Sequence, residues 1–67
     1  MRFGATIRRL RKERGLSQEA LAERAGMNAD FLGFIERGDN LPTLLSIVQL
    51  ARALGVQPST VISDFDE

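Results

Sequence analysis

The sequence predicts an all-α domain of five short helices, and three observations support this fold class. Apolar residues recur at intervals of three and four along most of the 67 residues, and no stretch alternates as a half-buried strand does. Capping residues and glycines divide the chain into short segments. The connections between these segments are too short to separate domains. We therefore expect a single domain with helices at about 2–14, 18–25, 29–37, 44–54 and 58–62, followed by an acidic tail at 63–67.

The first predicted helix has a narrow apolar face. Phe3, Ile7 and Leu10 recur at i, i+4 and i+7, with charged residues between them. A glycine then ends the helix. Arg11 and Arg14 flank the apolar face, so at least one of them should reach over the edge of the core.

The second and third predicted helices are joined by a glycine-containing turn. Ser17 and Asn28 are good N-caps, because their side-chain oxygens can accept hydrogen bonds from the free N–H groups of a first helical turn. Gly26 and Gly38 follow the two helices, where left-handed residues commonly end a helix. Two helices joined in this way form either a helix-turn-helix, whose second helix can enter a DNA major groove, or merely a tight corner in a helical bundle.

The fourth and fifth predicted helices also begin at recognisable residues. Thr43 caps the fourth helix, and Pro58 suits the first turn of the fifth. A glycine ends the fourth helix, and the apolar residue after it can pack back on the last turn. We expect the apolar face of the fourth helix to consist of Leu44, Ile47, Val48, Ala51 and Leu54.

The composition excludes several classes of function. The sequence contains no Cys, His, Tyr or Trp, so it lacks a histidine base, a thiol nucleophile and a His-based metal site. We expect no enzyme activity, no metal, no cofactor and no small-molecule ligand. No apolar run approaches the roughly 18 residues of a membrane-spanning helix, and the N-terminus lacks a signal-peptide core. We therefore expect a cytoplasmic protein with no membrane partner.

Charge is distributed unevenly along a chain whose net charge is zero. Residues 1–24 contain seven Lys and Arg against three Glu, which gives +4. Residues 25–67 contain two Arg against six acidic residues, which gives −4. A basic half can attract a polyanion even when the total charge cancels, although such clusters also occur on solvated helix faces.

Three longer motifs resemble a known family. The run RGLSQEALAERAG at 14–26 is followed by IERG at 35–38 and by ARALGV at 51–56. These motifs resemble the phage-repressor and Cro-like helix-turn-helix group, often called XRE-type, and the resemblance extends over nearly the whole chain. It implies a five-helix lambda-repressor-like fold in a transcription regulator, usually a homodimer, that places its third helix in the major groove of double-stranded DNA.

The resemblance also implies roles for individual residues. It places four residues at DNA phosphates: Gln18, Asn28, Asn40 and Thr43. It places five at positions that face the bases: Asn28, Ala29, Asp30, Gly33 and Phe34. In the family, the position of Glu36 pairs with the arginine that matches Arg11. A partly buried pair of this kind would connect the first helix to the third.

Several residues depart from the family's pattern. Ala29 and Phe34 can contact only a thymine methyl group, and Asp30 can accept only from cytosine N4. Leu41 and Leu45 replace residues that are usually polar, and with Phe34 they could form an exposed apolar patch. A second hypothesis therefore stays open. In it, the chain is an antitoxin-like or accessory protein-interaction module that binds a protein partner through this patch.

The C-terminal apolar residues predict a dimer. Val61, Ile62 and Phe65 lie beyond the four-helix core. We expect the fourth and fifth helices to meet their symmetry mates there, presenting two recognition helices about 34 Å apart, one turn of DNA. The alternative is that these residues cover the core of their own chain.

Overall fold

The computed structural model describes residues 3–62, which form five α-helices and no strand. The helices are α1 (Phe3–Glu13), α2 (Gln18–Ala25), α3 (Ala29–Arg37), α4 (Leu44–Leu54) and α5 (Pro58–Ile62). The predicted all-α, five-helix fold is confirmed. Helix α1 ends one residue before the predicted limit. Residue 2 and the predicted acidic tail at 63–67 lie outside the described residues.

All five helices contribute to one apolar core. Helix α1 packs against α3, and α2 packs against both α3 and α4. Helix α3 therefore has one face against α1 and α2, whereas its opposite face is exposed. The largest fully buried side chains are Phe3, Ile7, Leu21, Leu32, Ile35, Leu50 and Val61.

Side-chain caps define the starts of α2 and α3. Ser17 Oγ accepts a hydrogen bond from the N–H of Ala20 at 3.0 Å. Asn28 Oδ1 accepts from the N–H groups of Asp30 at 2.7 Å and Phe31 at 3.3 Å. These bonds replace the intrahelical partners that a first turn lacks, so both helices begin where the sequence predicts.

Glycine makes the turn between α2 and α3 possible. Gly26 has φ +72°, a left-handed conformation that strains any residue with a Cβ atom. Beyond it, the N–H of Met27 donates to the carbonyl of Ala22 at 2.9 Å, which closes a Schellman motif. Helix α2 therefore stops abruptly, and α3 begins after a short turn. The two helices form the predicted helix-turn-helix.

The buried face of α4 differs from the predicted one. Leu44 is 72% exposed, whereas Leu50 is fully buried. The predicted face that begins at Leu44 and the observed face that begins at Ile47 both fit the helical period, because residues 47, 50, 51 and 54 also follow i, i+3, i+4 and i+7. The packing of α4 against α2 and α5 selects the set that begins at Ile47.

Two arginines, one in the last turn of α1 and one just after it, reach across the edge of the core. Arg11 Nη1 donates to the carbonyl of Leu16 at 2.8 Å, and Arg14 Nε donates to the carbonyl of Leu54 at 2.6 Å. Leu54 is the last residue of α4, where a cation interacts favourably with the unpaired carbonyls. The arginines therefore connect the end of α1 to the following loop and to α4.

The backbones of α1 and α3 approach each other closely at Gly4. A Cβ atom built on this buried glycine would clash with the carbonyl oxygen of Ile35 and would lie 2.8 Å from that of Glu36. Only glycine lets α1 pack at this distance from the C-terminal half of α3. No motif of the sequence indicates this requirement at Gly4.

Candidate nucleic-acid interface

The exposed face of α3 carries a row of three side chains. Asp30, Phe34 and Arg37 are spaced by four and three residues, so they lie along one side of the helix. At about 1.5 Å per residue the row is about 10 Å long. A major groove about 12 Å wide admits an α-helix, and a row of this length covers roughly three base pairs.

A pocket of about 170 Å³ adjoins this row, between α3 and the start of α2. Five of its six lining residues are among those that the family resemblance placed at DNA. Arg37 is the sixth, and no sequence motif indicates a DNA contact for it. The lining residues are Gln18, Ala29, Asp30, Gly33, Phe34 and Arg37.

Gly33 differs from the other predicted base-facing residues. It is buried, and a Cβ atom there would lie 3.3 Å from Arg37 Nη1 and 3.6 Å from Gln18 Oε1. The prediction that Gly33 faces the bases is corrected in this respect, because two side chains lie over it. Its missing side chain gives Gln18 and Arg37 room against the helix.

The predicted Arg11–Glu36 pair is present on the buried side of α3. Arg11 Nε donates to Glu36 Oε2 at 2.7 Å, and Arg11 Nη2 donates to Oε1 at 3.1 Å. The two side chains are only 9% and 2% exposed. This bidentate pair connects α1 to α3 and fixes the orientation of the exposed row.

Gln18 is already oriented by the same carboxylate. Its Nε2 atom donates to Glu36 Oε1 at 3.0 Å. A glutamine amide has two N–H donors and one oxygen acceptor, so one donor and the oxygen remain available. A phosphate contact by Gln18 would therefore come from a side chain held in place by the ion pair. This hydrogen bond between α2 and α3 has no signal in the sequence pattern.

The other three predicted phosphate contacts lie outside the pocket lining. Asn28 and Thr43 cap α3 and α4 with their side-chain oxygens. The amide nitrogen of Asn28 is not part of that cap. Asn40 is exposed in the loop between α3 and α4. Helix starts point N–H groups outward and suit anions, so the positions of Asn28 and Thr43 are chemically compatible with phosphate.

Arg37 makes two contacts that place it on the exposed face of α3. Its guanidinium carbon lies 5.1 Å from the centroid of the Phe34 ring. Its Nε donates to Asp39 Oδ2 at 3.1 Å. The i, i+3 spacing of Phe34 and Arg37 could have signalled this pairing. The family resemblance of the IERG motif indicates a role for Glu36 alone.

An exposed apolar group lies in the α3–α4 loop and the first turn of α4. Leu41 is 73% exposed and Leu45 is 66% exposed, as the predicted patch requires, and Leu44 adds a third leucine. The Phe34 ring is 41% exposed, lines the pocket and lies against Arg37. These contacts associate Phe34 with the α3 row.

The predicted dimer residues differ in accessibility. Val61 is fully buried in the core of its own chain, so its side chain is not available to a second copy. This corrects the prediction for Val61, because α5 uses it to cover the core. Ile62 is 40% exposed. Phe65 lies outside the described residues.

Residues 3–62 contain neither a metal-binding cluster nor a membrane-spanning helix. No group of three or more Asp and Glu side chains there is arranged to hold a metal ion. None of the five helices is long and apolar enough to cross a membrane.

Comparison with known sequences places the chain among transcription regulators. A family described as a helix-turn-helix domain matches residues 2–61. An uncharacterized HTH-type transcriptional regulator of Sinorhizobium fredii is 39% identical over 64 residues, covering 96% of this chain and 83% of the relative. The immunity repressor of Bacillus phage phi105 is also 39% identical over 64 residues, but the match covers only 44% of that longer protein.

Solved structures agree with this assignment. The restriction-modification controller protein C.AhdI of Aeromonas hydrophila matches with a TM-score of 0.88 and 40% identity, over 90% of this chain and 91% of that one. SinR, a master regulator for biofilm formation, was solved in complex with DNA and matches with a TM-score of 0.85 and 33% identity, over 90% and 97% of the two chains. These matches confirm the predicted family and a regulatory rather than an enzymatic role. The chain belongs to the helix-turn-helix family of DNA-binding transcription regulators.

Proposed function

We propose that this chain is a homodimeric regulator that recognises specific double-stranded DNA sites in the cytoplasm, with α3 in the major groove. The observation that carries this proposal is the pocket between α2 and α3, whose lining combines Gln18 with the outward side chains of α3. Helix α3 is fixed from behind by the Arg11–Glu36 pair, so its outward face is a rigid surface. A rigid helix of this length fits the groove without rearrangement.

Contacts to the DNA backbone supply most of the affinity in this proposal. The remaining N–H of Gln18 and the first N–H groups of α2 donate to one phosphate. The amide nitrogen of Asn28 contributes a second contact at the start of α3. Asn40 and the backbone at Thr43 approach the opposite strand. None of these contacts depends on the base sequence.

The outward face of α3 supplies the sequence preference. Ala29 and Phe34 offer apolar surface to thymine methyl groups, and Asp30 accepts from cytosine N4. Asn28 can add a hydrogen bond to a base edge. With so few hydrogen-bonding side chains in this set, we expect each base pair to contribute a modest preference.

A homodimer would double these contacts on a two-fold symmetric site. The exposed Ile62 at the end of α5 is the described residue that supports an interface there. Two copies related by a two-fold axis would place their α3 helices about 34 Å apart. Sedimentation of wild type and Ile62→Glu tests this arrangement. A monomer at high micromolar concentration in both cases would contradict it.

A protein partner is the second candidate function. The exposed side chains of Leu41, Leu44 and Leu45 favour it, because adjacent apolar residues in contact with water often mark a binding surface. In this case substituting Leu45 by the uncharged Ser should abolish partner binding and leave DNA affinity nearly unchanged.

Selection of bound duplexes from a random pool tests DNA recognition most directly. We expect an enriched site with two related half-sites about 10 base pairs apart, and an affinity that falls steeply with salt.

Gln18→Ala should weaken binding to all duplexes by the same factor, whereas Gln57→Ala, in the exposed α4–α5 loop, is the matched control. Phe34→Ala should instead relax the preference at the base pair that the ring contacts, by roughly 1 kcal/mol. Failure to bind any duplex at low salt would reject this function in favour of a protein partner.

A further inference from the structure

Phe34 and Arg37 form a two-residue unit on the exposed face of α3. They are three residues apart, so they lie on the same side of the helix, and the guanidinium carbon is 5.1 Å from the ring centroid. Arg37 Nε is occupied by Asp39 Oδ2 at 3.1 Å. The two terminal nitrogens of the guanidinium group remain as a fork of N–H donors.

This unit has the donors and the apolar surface that two neighbouring base pairs require. Two parallel N–H groups of an arginine match O6 and N7 of guanine, and an apolar ring matches the methyl group of thymine. The helical rise from 34 to 37 is about 4.5 Å. The rise between stacked bases is about 3.4 Å, so the two side chains can reach adjacent base pairs.

The charges around Arg37 favour a base over a phosphate as its partner. Asp39 is bonded to the guanidinium group, and Asp30 lines the same pocket. Both carboxylates repel the full negative charge of a phosphate more strongly than the partial charges on the uncharged edge of a guanine. Gly33 adds space, since its missing Cβ atom would otherwise lie 3.3 Å from Arg37 Nη1.

We propose that Phe34 and Arg37 together read a thymine and a guanine in adjacent base pairs, with Asp39 as a positioning residue. This inference rests on the DNA binding proposed above and assigns part of its specificity. Phe34 has two functions in it. One part of the ring contacts the thymine methyl group, and its face supports the guanidinium group, so loss of the ring should also weaken guanine recognition.

The test uses duplexes selected by the wild-type protein and then altered at single atoms or base pairs. Replacing the guanine pair by an adenine pair should cost wild type about tenfold in affinity, or about 1.4 kcal/mol. A 7-deazaguanine, which lacks N7, should reduce the affinity by part of that factor. Uracil in place of thymine lacks the methyl group and should independently reduce the affinity a few-fold. The Arg37→Ala variant should bind the duplexes with guanine, 7-deazaguanine or adenine at this position with equal affinity. Phe34→Ala should ignore the change from thymine to uracil and discriminate guanine less well.

Three further variants separate base reading from simple charge attraction. Arg37→Lys keeps the positive charge but lacks the fork, so it should retain overall affinity and show a reduced guanine preference. Asp39→Asn should reduce the guanine preference while raising overall affinity, because it removes a negative charge near DNA. Arg24→Ala, an arginine in the last turn of α2, is the matched control and should leave the preference at both base pairs intact. Thermal unfolding should confirm that each variant is folded.

Several outcomes would overturn the inference. If Arg37→Ala lowers the affinity for every duplex by the same factor and Arg37→Lys restores that affinity, Arg37 contacts a phosphate. In that case the proposed DNA binding still stands. If the selected sites contain no adjacent thymine and guanine, the assignment is also wrong. If wild type selects no duplex at all, both this inference and the proposed function fail.

Discussion

Two arginine–carboxylate pairs involve consecutive residues of α3, yet they lie in opposite environments. Glu36 pairs with Arg11 in the interior, where the side chains are 2% and 9% exposed. The next residue, Arg37, pairs with Asp39 at the surface, where the side chains are 56% and 58% exposed. The first pair connects two helices, whereas the second joins residues two positions apart. A change of one position around α3 therefore separates an ion pair that connects two helices from one that is accessible at the surface.

Solvent explains the difference. A buried ion pair that loses one partner leaves an uncompensated charge in a medium of low dielectric constant, at a cost of about 3–5 kcal/mol. An exposed pair contributes about 0–1 kcal/mol, because water and salt screen it. The four predictions below test this contrast, starting with the largest expected effect.

Glu36→Gln should cause the largest loss of stability. The amide keeps the shape of the side chain but leaves the Arg11 guanidinium buried without a negative partner. We expect the free energy of unfolding to fall by about 3 kcal/mol. For a domain of this size the melting temperature should fall by more than about 10 °C. Thermal unfolding measures this directly, and an unchanged melting temperature would show that the pair is not needed to hold α3.

Gly4→Ala tests whether α1 and α3 also depend on their close backbone approach. The new methyl group would clash with the carbonyl oxygens of Ile35 and Glu36, so the helices must move apart. Overpacking of this kind costs about 1–3 kcal/mol. Ala5→Ser, at an exposed position of α1, is the control and should change stability by less than about 0.5 kcal/mol. Equal stability of the two variants in urea would contradict the packing argument.

Gln18→Ala should have an intermediate effect on stability. It removes the hydrogen bond to Glu36 Oε1 but leaves both bonds from Arg11 in place. A hydrogen bond to a charged group contributes about 1.5–3 kcal/mol when buried, and partial exposure of Gln18 should reduce this to about 1 kcal/mol. Urea denaturation beside Gln57→Ala gives the comparison. A loss as large as that of Glu36→Gln would mean that the carboxylate depends on Gln18 as much as on Arg11.

Asp39→Asn should have the smallest effect on stability. Both partners of this pair are more than half exposed, so the free energy of unfolding should change by less than about 0.5 kcal/mol. Any difference should shrink further at high salt. Parallel denaturation at low and high ionic strength measures it, and a loss above about 1 kcal/mol would assign this pair a structural role after all.

Local signals predicted much of the fold. Ser17 and Asn28 cap their helices, and Gly26 and Gly38 end them, because capping depends on residues adjacent in sequence. Periodicity did not determine the buried face of α4. Leu44 and Leu50 fit equally regular stripes, and only the packing against other helices distinguishes them.

The site was less predictable than the fold for a related reason. The family resemblance selected Gln18 and the start of α3, which line the pocket. It assigned no role to Gly4, because the need for glycine there arises from a backbone in another helix. It also missed Arg37, whose position depends on the conformation of a long side chain over Phe34. Contacts between elements and side-chain conformations are not encoded in the spacing of one sequence.

The Asp39 carboxylate acts as a counterion that the protein carries with its own Arg37. A free arginine that neutralises a phosphate displaces condensed cations from DNA, and each such contact adds about 0.9 to the slope of log affinity against log salt. The Arg37–Asp39 pair brings no net charge to the groove, so it should displace almost no condensed cations. The contribution of the Arg37–Asp39 pair to the binding free energy should therefore change little as ionic strength rises. If Arg37 contacts a base as proposed, the preference for specific over non-specific DNA should therefore increase with salt concentration, because salt weakens the proposed phosphate contacts more than this base contact.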